Sequence, residues 1–205
     1  MNPVERLAAR PGIQRVPTRE LELFILRGFL DDATCQTLIE RIDAKRRPSE
    51  LADDLGIANF RTSETCDLDW RDPVIGAVDS RIAELLGLPL AASEPLQGQR
   101  YAPGQEFKPH TDTFEPGGYD FHFHTADRGQ RTWTAMIYLN QPEEGGATRF
   151  KTIGKTVQPE RGKLLAWNNL FPDGRPNPAT LHQGMKVRRG TKYILTKWFR
   201  ERATG

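Results

Sequence analysis

The sequence predicts a mainly β protein: a double-stranded β-helix (a jelly-roll or cupin-like barrel) carrying an N-terminal helical layer. Three observations carry this. From Leu96 onward, short β-prone runs recur at 96–101, 105–112, 132–139, 147–150, 163–168, 181–187 and 192–199. Turn clusters such as APG, PEEGG and PDGRPNP separate them. Before Leu96, by contrast, apolar residues recur mostly at helical spacing. Many short strands joined by Gly- and Pro-rich turns point to a sandwich or barrel, and a jelly roll fits their count.

Taken in order, residues 1–20 are rich in Arg and Pro and are expected to form an irregular arm. Leu21, Leu23 and Ile25 alternate with Glu22 and Phe24, the pattern of a strand. Asp31 or Asp32 can cap a helix whose apolar positions are Cys35, Leu38, Ile39 and Ile42. A second helix opens with Asp72 as cap and Pro73 in its first turn. It carries Val74, Val78, Ile82 and Leu85 on one stripe and ends near Gly87. Residues 21–205 are thus expected to form one domain, with helical support over about 21–95 and a barrel core over about 96–200.

The 205 residues include 29 basic and 27 acidic side chains, a net charge of +2. That balance lacks the clustered basic excess of a nucleic-acid footprint. The local basic runs at 45–47 and 186–192 do not change it, and the first reads as solvated surface. No apolar run is long enough to cross a bilayer, and MNPVERLAARPG has no apolar core of signal-peptide length. Cys35 and Cys66 do not make a disulfide framework, so cytoplasmic residence is the expectation.

The chain has four histidines: His110, His122, His124 and His182. His110 and Asp112 are two residues apart, so on a strand both side chains leave one face. A third ligand must come from elsewhere, and His182 opens another predicted strand. Two His and one carboxylate on one face of an octahedron leave three positions free, two for a bidentate 2-oxoacid and one for dioxygen. Alone, an HxD pair is a weak signal. His122 and His124 lie in the long connection 115–130 and have no acidic or histidine partner at matching spacing. They read as substrate contacts or exposed loop residues, and a connection of that length near a site is often a lid. Lys192 shares a strand face with Ile194, Thr196 and Trp198, and the other face carries Tyr193, Leu195, Lys197 and Phe199. Both faces are mixed. Either Lys192 points into the barrel, where it needs an anion, or it faces solvent and the Tyr193 face is core.

Combined motifs narrow the choice. RYAPGQEFKPHTD is followed by QRTWTAMIYLN and EEGGATRF, and then by GKLLAWNNLFPDGRPNPATLHQGMKVRRGTKYILTKWF. From Phe60 to Trp198 these resemble the catalytic domain of the prolyl 4-hydroxylase-like iron(II)/2-oxoglutarate-dependent dioxygenases, and LELFILRGFLDDATCQTLIERI resembles the family's N-terminal portion. The resemblance implies iron(II) held by His110, Asp112 and His182, with 2-oxoglutarate and dioxygen as co-substrates and ascorbate as a reductant. It implies that Lys192 pairs with the distal carboxylate of 2-oxoglutarate, that the Tyr101 hydroxyl supports that carboxylate and that Thr148 lines the same pocket. Arg131 and Trp198 match positions near a peptidyl substrate, although Trp198 also reads as core and Arg131 as a surface strand residue.

The implied reaction is hydroxylation of an unactivated C–H bond with release of succinate and carbon dioxide, first of all on a prolyl residue of a peptide or protein. Hydroxylation of a free amino acid or other small molecule stays open, with Arg131 for a carboxylate and Glu115 or Asp120 for an ammonium. A catalytically silent barrel used for binding or sensing also stays open, although this chain keeps every ligand such a barrel would be expected to lose. Asp112 argues against halogenation, which needs a small residue there. Two features depart from the family: Phe107 stands where many relatives have a second tyrosine, and 115–130 matches nothing familiar.

Overall fold

The computed structural model describes residues 1–49, 60–118 and 121–203. The elements run in the order α1 (Pro3–Ala8), β1 (Ile13–Arg15), β2 (Leu23–Leu26), α2 (Asp32–Lys45), β3 (Arg47–Pro48), β4 (Glu64–Asp67), α3 (Pro73–Leu86), β5 (Gln97–Tyr101) and β6 (Phe107–His110). They continue with α4 (Phe121–Thr125), β7 (Arg131–Tyr138), β8 (Glu144–Gly145), β9 (Thr148–Phe150), β10 (Lys155–Val157), β11 (Leu164–Asn168), β12 (His182–Gly184), β13 (Val187–Arg189) and β14 (Lys192–Arg200). Eight strands form a major antiparallel sheet in the order β1-β2-β11-β7-β14-β5-β4-β3. A minor sheet runs β10-β9-β12-β6, and β13 pairs with β8. This is the expected mainly β jelly-roll architecture, with both sheets open at their edges.

The helices cover one face of the major sheet. Leu38 and Ile42 of α2 and Val78 and Ile82 of α3 join Ala135, Ile137, Leu195 and Phe199 in one buried cluster. Tyr101, Met136, Tyr138, Phe150, Trp167 and Ile194 form a second cluster on the opposite face. Asp31, rather than Asp32, caps α2, accepting from the Thr34 N–H at 2.7 Å. Asp72 caps α3 at 3.0 Å from the Val74 N–H, and Gly87 ends it in the left-handed region. In α3 the buried stripe starts at Ile75, whereas Val74 is only half-buried. At Gly98 a Cβ would clash with the buried Ile42 side chain, so the closeness of α2 to β5 requires glycine there.

Residues 1–20 differ from the expected irregular arm. Asn2 and Glu5 form a reciprocal capping box at the start of α1, Leu7 is fully buried, and β1 pairs with β2. Within the 21–95 region β2 is the strand expected there, and β3 and β4 are further strands of the major sheet among the helices. Every residue of β14 is buried, because this inner strand has the helices on one side and the barrel interior on the other. That explains why neither of its faces reads as polar. Lys192 points inward; the Tyr193 face packs with the helices.

Candidate metal and co-substrate site

His110 ends β6, and His182 opens β12 directly opposite it in the ladder. Asp112 lies two residues past the end of β6, so the HxD pair straddles a strand terminus rather than sitting within a strand. One ligand atom from each of His110, Asp112 and His182 lies within 4.8 Å of the other two. His110 Nδ1 is 2.8 Å from the Lys108 carbonyl, and His182 Nδ1 is 2.9 Å from the Thr180 carbonyl. A carbonyl can only accept, so each ring carries its proton on Nδ1 and keeps the Nε2 lone pair free. Burial, then the neighbouring His182, push the His110 pKa down to about 3, which keeps that ring neutral. Burial pushes the Asp112 carboxyl up, but the two imidazoles, Arg131 and the Thr134 hydroxyl outweigh it and hold it below its usual value. Two imidazoles and an ionised carboxylate form a donor set that fits iron(II). Phe107, the departure from the family pattern, stacks on the His110 ring with centroids 3.5 Å apart and planes 17° apart.

Against the triad lies a cavity of about 40 Å³ lined by Tyr101, Thr148, Gly184, Lys192 and Thr196 among others. Lys192 is 1% exposed. Its Nζ lies over the Tyr101 and Tyr138 rings, 5.0 and 5.4 Å from their centroids. Among the described residues no carboxylate pairs with it, and burial alone pulls its pKa down to about 7. A buried ammonium without a counter-ion, next to a metal-type donor set, is what a dianionic chelator would neutralise. The Tyr101 hydroxyl donates to Gln99 Oε1 at 2.7 Å, and Gln99 in turn donates to Thr196 at 3.1 Å. Thr148 Oγ1 accepts from the Tyr138 hydroxyl at 2.6 Å.

One consequence is measurable. Below pH 7 Lys192 is charged, whereas well above it the amine is neutral and must take a proton from solvent when a carboxylate binds beside it. Binding of 2-oxoglutarate to the iron-loaded protein should therefore take up close to one proton at pH 8.5 and almost none at pH 6. Calorimetry in buffers of different ionisation enthalpy measures that number. Equal uptake at both values would remove Lys192 from the binding step.

A second cavity, of about 410 Å³, opens outward from the triad and is lined by Phe60, Arg61, His110, Glu115, Arg131 and Trp198 among others. Arg131 is not a surface residue. It makes two 2.7 Å hydrogen bonds to Glu94, and its guanidinium lies 4.0 Å from the Trp198 ring centroid. Arg200 adds a third bond to Glu94 at 2.9 Å. Burial pushes Glu94 up, but both arginines outweigh it and hold it ionised. Trp198 borders both cavities. Arg61 is held by Ser63, Thr65 and Gln97, all neutral. Glu94, Gln99 and Thr134 were not singled out in the sequence. Gln99 could have been, since it shares a strand face with Tyr101.

His122 and His124 lie on α4, outside the triad, and the His124 ring stacks on Phe114 with centroids 4.7 Å apart. Arg200 and Arg202 bond backbone carbonyls at the far end of the 115–130 segment. Asp120 lies outside the described residues.

The sequence profile of the 2OG-Fe(II) oxygenase superfamily matches residues 96–200. Prolyl 4-hydroxylase subunit alpha-2 of Caenorhabditis elegans is 37% identical over 183 residues, 87% of this chain and 34% of that protein. Prolyl 4-hydroxylase subunit alpha-1 of Gallus gallus is 34% identical over 149 residues, 72% of this chain and 29% of that protein. The chain thus spans about a third of the length of these relatives. Among solved structures, a viral collagen prolyl hydroxylase from Paramecium Bursaria Chlorella virus-1, in its 2OG complex, superposes with a TM-score of 0.69. It is 28% identical, with 87% of this chain and 95% of that one covered. A Pseudomonas putida prolyl-4-hydroxylase shares the fold at a TM-score of 0.60 and 20% identity, over 97% of each chain.

Proposed function

Because the chain belongs to the 2OG-Fe(II) oxygenase superfamily, we propose that it hydroxylates a prolyl residue in a peptide or protein, using His110, Asp112 and His182 to hold iron(II) and Lys192 to hold the distal carboxylate of 2-oxoglutarate. The observation that carries this reading is positional: the triad borders both a small cavity, whose lysine has no carboxylate partner among the described residues, and a larger groove. Bound iron and 2-oxoglutarate supply an oxidant derived from dioxygen, with succinate and carbon dioxide as the other products. The protein's part is placement and exclusion. Lys192 and Thr148 fix the inner end of the co-substrate, and Phe107 braces His110. Trp198, backed by the Arg131–Glu94 pair, offers a flat wall where the groove meets the triad. An indole packs against a pyrrolidine ring, and a polyproline II segment loses little conformational entropy on docking. Ascorbate as reductant belongs to the same proposal.

The free amino acid reading loses Arg131 as its carboxylate partner, because Glu94 already neutralises that guanidinium. One observation favours it: Arg61 faces the groove and, among the described residues, is hydrogen-bonded by neutral side chains. The deciding experiment incubates the iron-loaded protein and 2-oxoglutarate with proline-rich peptides, free L-proline and other amino acids, and reads a mass gain of one oxygen. Hydroxylated prolyl peptide is expected. Efficient oxygenation of a free amino acid, with none on any prolyl peptide, would replace the peptidyl reading and leave the iron and 2-oxoglutarate assignments standing.

A further inference from the structure

We propose that Thr134 and Asn169 form a one-directional hydrogen-bond relay that fixes which oxygen of Asp112 faces the metal. The inference rests on the reading of Asp112 as a ligand. Thr134 lies in the middle of β7, opposite Trp167 on one side and Trp198 on the other, and is fully buried. Its hydroxyl donates to Asp112 Oδ2 at 2.7 Å. Asn169, also fully buried, donates from Nδ2 to Thr134 Oγ1 at 2.9 Å. The other carboxylate oxygen, Oδ1, is the one facing His110 Nε2, at 3.8 Å.

The direction of the relay follows from the inventory of protons. A hydroxyl has one proton to give, and a carboxylate that ligates a metal can only accept. The amide NH2 can only donate, so it occupies the Thr134 oxygen and leaves the single hydroxyl proton to Oδ2. Turning the amide over would set its oxygen against Thr134 and give that one proton two competing acceptors. Asn169 keeps its NH2 toward Thr134 even though its own Oδ1 is buried with no hydrogen-bond partner among the described residues. Its backbone is clamped too: the N–H donates to the Thr132 carbonyl at 2.7 Å, and its carbonyl accepts from Asn177 N–H at 2.9 Å. Asp112 lies beyond the end of β6, where no ladder holds it, so the relay supplies the orientation that the strand does not. The two histidines are oriented from behind by the carbonyls of Lys108 and Thr180; Thr134 and Asn169 do the same for the carboxylate.

Thr134 and Asn169 are positioning residues, and the test reads the metal rather than turnover alone. Full-length Thr134→Val, Thr134→Ser and Asn169→Ala proteins would be titrated anaerobically with iron(II), and then with 2-oxoglutarate while the visible charge-transfer band is followed. Thermal unfolding of the metal-free proteins would be compared in parallel. Losing an outer-shell partner of a ligand typically costs about 10–100-fold in metal affinity, and that loss is expected for Thr134→Val, with a displaced band. Thr134→Ser, which keeps the proton, should restore both affinity and band position. Asn169→Ala removes only the constraint on direction and should weaken iron less than Thr134→Val does. If the valine variant does not fold, Thr134→Ala carries the same expectation. A folded Thr134→Val or Thr134→Ala protein that binds iron like the wild type would overturn the relay, as would a serine variant that is as impaired as the valine.

Discussion

Asp112→Ala is expected to abolish turnover and to weaken iron(II) binding by more than the roughly 10–100-fold that outer-shell changes cost. The residue supplies the carboxylate of the His110–Asp112–His182 cluster, and an imidazole cannot replace its negative charge. Its removal also strands buried groups around it. The Thr134 hydroxyl loses its acceptor, and the Arg131 guanidinium loses a nearby negative charge. Iron content by metal analysis, together with succinate release, checks this. His122→Ala and His124→Ala should leave iron stoichiometry unchanged, since both side chains lie on α4 and outside the cluster.

Lys192→Ala is expected to weaken 2-oxoglutarate binding several hundredfold or more. Truncating one partner of a buried charge pair typically costs ~3–5 kcal/mol, because the other charge stays buried and unpaired. The penalty applies because Lys192 is fully buried between two tyrosine rings, and neither ring can substitute for its charge. Lys192→Arg should recover part of the affinity. It keeps the charge, but the planar fork must fit where the lysine stem already lies 3.2 Å from a Cβ placed at Gly146. A 2-oxoglutarate titration of the iron-loaded variants separates these outcomes. Unchanged affinity in Lys192→Ala would move the co-substrate elsewhere.

Much of this was legible in the sequence where the signal is local. Asp72, Pro73 and Gly87 mark the ends of α3 through chemistry that acts within one turn, and the structure puts them there. The triad was legible through a short spacing and a set of motifs that only a whole family shares. The capping box of Asn2 and Glu5 was equally local, but the Arg and Pro content around it suggested an irregular arm. The side of β14 that faces inward was not legible, because both sides are buried, one under helices and one against the inner cavity. Thr134 and Glu94 escaped for a different reason. Thr134 meets Asp112 across 22 residues, and Glu94 meets Arg131 across 37, through packing that no periodicity encodes.

The most direct test of the central claim is an anaerobic titration of the wild-type protein, first with iron(II) and then with 2-oxoglutarate, followed in the visible range. One iron per chain is expected, with a charge-transfer band that appears only when 2-oxoglutarate is added. The band should vanish in Asp112→Ala, require far more 2-oxoglutarate in Lys192→Ala and persist in His122→Ala and His124→Ala. A band that survives in Asp112→Ala, or one that depends on His122 or His124, would contradict the assignment of His110, Asp112 and His182 as the metal site.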